Sequence, residues 1–148
     1  MKKWLTLLAV VAVGSGAFAA EGWMTDFEKA KEVAKEKNLP ILIDFSGSDW
    51  CGWCIKLDKE VFSQQAFKDY AKDNLVMVLA DFPSDKSKQS EELQAQNEKL
   101  AKEFDVQGFP TVYILNSDGK PIAKTGYEPG GPEAYIANIK KLTTVTEK

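Results

Sequence analysis

Apolar positions fall into two spacings along most of this chain: continuous runs of five to eight residues, and positions three or four apart. In "MTDFEKAKEVAKEKN", Phe27, Ala30, Val33 and Ala34 share one face, which predicts a first helix. Thr25, three residues before Glu28, is its expected N-cap in a capping box. Pro40 closes that segment, and "ILIDF" (Ile41 to Phe45) follows as a buried strand carrying one carboxylate, Asp44. A helix is expected from Cys51 to about Lys59, and a second helical piece from Ser63 through Ala66, Phe67 and Tyr70. "LVMVLADF" (Leu75 to Phe82) reads as another buried strand. The polar loop "PSDKSKQSEE" (Pro83 to Glu92) then leads into a helix with Leu93, Leu100 and Phe104 inward. "TVYIL" (Thr111 to Leu115), the turn "NSDGK" and a short strand around Ile122 to Thr125 come next. Gly130, Gly131 and Pro132 open a last helix that buries Tyr135, Ile136, Ile139 and Leu142, and "TTVTEK" is expected to fray.

The order α-β-α-β-α-β-β-α predicts an α/β fold. Alternating helices and strands require right-handed crossovers and parallel sheet members, the final hairpin adds an antiparallel edge, and helices cover both faces. No repeat, low-complexity tract or second domain interrupts it.

The first residues do not fit that pattern. Lys2 and Lys3 precede the apolar run "WLTLLAVVAV" and the small-residue pattern Ala17-Phe18-Ala19. Residues 1–19 are expected to be a secretory signal peptide cleaved after Ala19, which leaves residues 20–148 as one domain. An uncleaved anchor needs nearly twenty apolar residues, about twice this run. No twin arginine precedes the run, and no cysteine stands at the cleavage point to carry a lipid. Without the leader the chain has 17 basic against 22 acidic residues, a net charge of −5. An acidic surface without a basic run argues against nucleic acid or stable membrane association as the mature protein's business. Export also places the thiols in an oxidising compartment.

The two cysteines, Cys51 and Cys54, are the only ones, and both stand in "SGSDWCGWCIKLD". Three readings compete. As a staple, a four-residue loop gains only about 2 kcal/mol, against nearly 5 for one of about 100 residues. As a structural zinc site, the pair lacks partners, because the chain has no other cysteine and no histidine. As a redox couple, the spacing has a rationale. A cysteine at a helix start faces free N–H groups that favour its thiolate, and one three residues on lies a turn deeper, able to close the pair.

The stretch "ILIDFSGSDWCGWC" closely resembles the active-site segment of the thioredoxin superfamily, and "EFDVQGFPTVYIL" with "NSDGK" resembles its second landmark, a proline-bearing loop before the final hairpin. The resemblance runs from Gly22 to about Leu142. It implies a thioredoxin-like fold, a central mixed sheet flanked by helices with an additional N-terminal helix. The longer form "DWCGWCIKLDKEVF" is most similar to exported bacterial thioredoxin-like proteins, including periplasmic domains of disulfide-interchange systems.

By that resemblance Cys51 is the attacking thiol and Cys54 the resolving one, the two forming a redox-active disulfide. Pro110 is expected in cis, bringing the backbone of Gly108 and Phe109 alongside an extended substrate; the alternative is an ordinary trans proline opening a strand. Trp50 packs beside the couple or serves as a plain core aromatic, and Trp53 contacts the partner. Asp44 matches the buried carboxylate that takes the resolving thiol's proton, or else it caps the adjacent loop. The "SGSD" segment is one residue longer than usual, which leaves the distance from Asp44 to the sulfurs open. Gly52-Trp53 replaces the usual Gly-Pro between the cysteines. Residues 83–92 are either a solvated connection or a partner contact.

The sequence thus predicts a secreted, periplasmic thiol–disulfide oxidoreductase that reduces or interchanges protein disulfides. It needs no cofactor or metal and takes electrons from a donor such as a membrane disulfide-interchange protein. The alternative is a non-catalytic thioredoxin-like binding module.

Overall fold

The computed structural model describes residues 22–144. The expected signal peptide and the last four residues of the expected frayed tail lie outside that range. The chain forms β1 (Trp23–Met24), α1 (Phe27–Lys37), β2 (Ile41–Ser46), α2 (Gly52–Leu57) and a π-helical turn (Asp58–Phe62). It continues with α3 (Gln65–Asn74), β3 (Val76–Asp81), a 3-10 turn (Lys86–Lys88), α4 (Glu91–Glu103), β4 (Thr111–Leu115), β5 (Pro121–Thr125) and α5 (Gly131–Thr144).

The five strands make one mixed sheet in the order β1-β3-β2-β4-β5. β3 runs parallel to both β1 and β2, whereas β4 is antiparallel to β2 and to β5. β2 and β3 are apolar apart from Asp44, Ser46 and Asp81 because both sheet faces are covered. On one face Leu42, Met77, Val112 and Ile114 pack against Leu57, Phe62, Phe67, Tyr135 and Ile139. On the other, Ile41, Ile43, Phe45 and Val78 pack against Phe27, Ala30 and Ala34 of α1 and Leu100 of α4. The central strand β2 is buried along its whole length, and the chemistry begins where it ends.

Three local expectations are corrected. α1 is capped by Asp26, whose carboxylate accepts the Lys29 N–H at 3.0 Å, so the cap falls one residue after Thr25 and the Thr25–Glu28 box does not set the helix start. A carboxylate in this place also meets the positive end of the helix. The helix expected to stop near Lys59 continues to Phe62, because its last turn widens into the π form. Leu57, Val61 and Phe62 are all buried, so this longer helical segment turns one face to the core. The edge strand β1, two residues long, carries too little pattern to be foreseen. Of the residues expected inward on the last two helices, Leu100, Tyr135 and Ile139 are buried, while Leu93, Phe104, Ile136 and Leu142 are half-buried.

Candidate active site

β2 delivers the chain to the loop Gly47–Trp50, and the loop turns it into α2. The turn closes by backbone bonds from Trp50 N and Cys51 N to the Gly47 carbonyl, at 3.2 and 2.8 Å. Cys51 becomes the N-cap of α2 in extended conformation (φ −86°, ψ 107°), and its sulfur takes the place an Asp or Ser oxygen commonly holds. Cys51 Sγ accepts the Cys54 N–H at 3.2 Å. Cys54 Sγ accepts the Gly47 N–H at 3.5 Å. The two cysteines are joined in a disulfide with Cα atoms 5.2 Å apart.

A nucleophile that attacks a protein disulfide has to meet it at the surface, yet in this oxidised state both cysteines are buried: Cys51 is 7 % exposed and Cys54 4 %. The bond turns each sulfur toward its partner, and tall side chains rise on either side. Among the described residues, Trp50, Trp53 and Ile55 are the large apolar ones left open to solvent, at 52, 58 and 47 %. Trp50 is therefore not a core aromatic. Its Nε1 donates to the Phe82 carbonyl at 2.7 Å, and its ring meets Phe109 edge-on with centroids 5.8 Å apart. Trp53 leans on Tyr127 at 5.1 Å, and Lys56 Nζ stands over both rings, at 5.1 and 5.2 Å.

The Phe109–Pro110 peptide bond is cis. The antiparallel register pairs Phe45 with Thr111, the first residue of β4, so Pro110 stands one residue before that strand, level with the end of β2. Phe109 reaches that loop through Trp50. Gly108 touches it only indirectly: it is exposed and its carbonyl accepts the Thr111 hydroxyl at 2.7 Å.

Asp44 is 5 % exposed, and its Oδ1 has no hydrogen-bond partner, so it does not serve the adjacent loop as a cap through that atom. Burial pushes its carboxyl up to about 8, with the charges of Asp58 and Asp81 adding to the rise. Asp44 and Cys54 line one cavity of about 520 Å³. Among the described residues no cluster of His, Cys, Asp or Glu is arranged to hold a metal ion.

Several contributors escaped the sequence reading. Ser48 donates its N–H and hydroxyl to the two oxygens of Asp81, at 2.9 and 2.6 Å. Asp49 accepts the N–H and hydroxyl of Ser84, both at 2.9 Å, and pairs with Lys88 at 3.7 Å. Loop 83–92 is thus more than a solvated connection, because it grips the longer "SGSD" segment. Gly47 is needed for a steric reason: a Cβ there would lie 2.6 Å from Cζ2 of Trp50. Its place three residues before a Trp that folds back over it was the available signal.

Residues 27–142 match the thioredoxin-like domain family. The disulfide bond reductase DsbH of Chlamydia pneumoniae is 40 % identical over 114 residues, spanning 77 % of this chain and 68 % of DsbH. The thioredoxin-related protein DsbJ of the same organism is 32 % identical over 104 residues, 70 % of this chain but only 30 % of DsbJ. A solved structure of a DsbH oxidoreductase superposes with a TM-score of 0.77 at 32 % identity, over 97 % of this chain and 95 % of that one. The mixed five-stranded sheet, the disulfide at the tip of its central strand and the family match have one reading: the chain belongs to the thioredoxin-like family, as a homologue of the disulfide oxidoreductase DsbH.

Proposed function

We propose that this protein is an exported, periplasmic thiol–disulfide oxidoreductase that works mainly in the reducing direction on protein disulfides. The observation that carries the reading is the Cys51–Cys54 disulfide at a helix start, each sulfur facing a backbone N–H. Those donors stabilise sulfur in its anionic form, which is the attacking species.

The reduced couple starts with Cys51 as thiolate. Cys51 Sγ attacks one sulfur of the substrate disulfide, a mixed disulfide forms, and the other substrate sulfur leaves as a thiolate. Cys54 gives its proton to Asp44 and attacks Cys51 Sγ. The bond to substrate breaks, the second substrate sulfur departs, and two electrons have left the enzyme. Re-reduction reverses this: a donor thiolate attacks Cys51 Sγ, Cys54 leaves with the bonding electrons and takes the proton back from Asp44. A second donor thiolate then frees Cys51. The redox group is the sulfur pair, so a protein dithiol such as that of a membrane disulfide-interchange protein suffices as donor.

Exposed Trp50 and Trp53 give an apolar seat on either side of the sulfurs. The backbone of Gly108 and Phe109 before cis-Pro110 offers an edge to which an extended substrate segment can add. Reduction of insulin disulfides with dithiothreitol as electron source tests the function. The wild type accelerates precipitation and Cys51→Ser does not. A wild type that is silent with both thiols free is a binding module instead. Equilibration with glutathione tests the direction: a potential near about −270 mV fits a reductant, and one near about −120 mV overturns that preference.

A further inference from the structure

The cavity under the disulfide has an acidic composition that the redox cycle just described does not use. Its walls include Asp44 of β2, Cys54 of α2, Asp58 of the π-helical turn, Asp81 of β3 and Lys88 of the 3-10 turn. Each charged group except Asp44 is held. Both oxygens of Asp81 accept from Ser48, Asp58 Oδ2 accepts the Ser63 hydroxyl at 2.9 Å, and Lys88 pairs with Asp49. Among the described residues, Asp44 alone carries a buried side-chain oxygen without a partner. From α5, Tyr135 also senses the charge of Asp44, while its hydroxyl donates to the Gly126 carbonyl at 3.0 Å.

We propose that Asp58 and Asp81 are positioning residues of the redox couple: from two walls of one cavity they govern how firmly Asp44 holds the proton it exchanges with Cys54. The inference rests on the oxidoreductase reading and deepens it. When a donor opens the disulfide, Cys54 sulfur leaves with the electron pair and a proton passes from the Asp44 carboxyl to it, leaving Asp44 as carboxylate. Two fixed carboxylates facing that site oppose the carboxylate form. Asp44 then keeps its proton against water and surrenders it to a nascent thiolate, a stronger base. Burial is the larger cause of this hold, and the two aspartates are the adjustable part. The contacts of Asp58 and Asp81 lie on different elements, so each charge can be removed separately.

Carbon NMR of the Asp carboxyls in the oxidised protein, with Asp44→Asn to assign the signal, reads the midpoint of Asp44 directly. Asp58→Asn and Asp81→Asn are each expected to lower it by at least about half a pH unit, and Asp58→Glu to restore it. Ser48→Ala removes one bond to Asp81 and keeps the charge, so the midpoint stays in place. The pH profile of the step that releases substrate from the Cys51 mixed disulfide moves with the midpoint. Unmoved midpoints in both Asn variants, in a protein that turns over insulin normally, overturn this inference and leave the function standing. A Ser48→Ala shift as large as that of Asp81→Asn overturns the role of Asp81, because loop packing then explains it. A wild type inactive on insulin sinks the oxidoreductase reading itself.

Discussion

At the scale of single residues, Cys51 does two jobs with one atom. Its sulfur caps α2 through the Cys54 N–H, and in the proposed cycle the same sulfur makes the attack. A cap that is an anion gains from the dipole and the free N–H groups of the helix start, so the fold favours the reactive form of its own nucleophile. In the reduced protein, ultraviolet thiolate absorbance against pH is expected to show Cys51 at least about one unit below the ordinary thiol value of about 8.5. Cys54→Ser isolates the Cys51 signal. A midpoint at the ordinary thiol value contradicts the capping argument.

At the scale of elements, the loop after β2 and the loop after β3 hold each other. Ser48 grips Asp81, Asp49 grips Ser84, and the Trp50 indole reaches the Phe82 carbonyl, so the three residues before Cys51 are each tied to the neighbouring loop. The Ser84 backbone N–H holds the Asp49 carboxyl below the usual carboxylate range, so that grip stays charged further into acid than an ordinary carboxylate would. Asp49→Ala frees the segment that presents Trp50 and Cys51. The expected outcome is faster amide hydrogen exchange across residues 47–50 and about a tenfold loss of insulin-reduction rate, of the size that small misplacements of reacting groups produce. Unchanged exchange and unchanged rate together remove the positioning role. Much of this architecture was legible because its signals are local. The buried strands announce themselves as apolar runs, α1 and α5 by their periodicity, and the couple and cis-Pro110 by short motifs. The grip was not legible, since it joins residues more than thirty apart through polar side chains common in any loop. Asp58 and Asp81 escaped for the same reason: they meet Asp44 only across a cavity whose walls come from separate elements. The pairing of Trp53 with Tyr127 depends on how the end of β5 turns, which no periodicity encodes.

For the molecule as a whole, the acid beneath the couple has a cost in stability with a definite sign. Asp44 loses its proton near 3.8 in the unfolded chain and near 8 in the fold. Below about pH 4 both states hold the proton, and the fold pays no penalty. Between about pH 4 and pH 8 the unfolded chain has released a proton that the native state keeps, so native stability falls as pH rises through that window. The slope is about 1.4 kcal/mol per pH unit, and above about pH 8 the penalty levels off. Near pH 7 the accumulated loss is about 4 kcal/mol, a sizeable share of what a domain of this size commonly has. Asp44→Asn does not titrate and so lacks this slope, although every other carboxylate is unchanged. Urea unfolding of the oxidised wild type and Asp44→Asn at matched pH isolates the effect. The stability difference in favour of the variant is expected to grow by about 1.4 kcal/mol per unit between pH 5 and pH 7, while its insulin-reduction rate falls. A difference that stays flat across that window means that Asp44 is charged in the native protein, and an ionised carboxylate has no proton to give to Cys54.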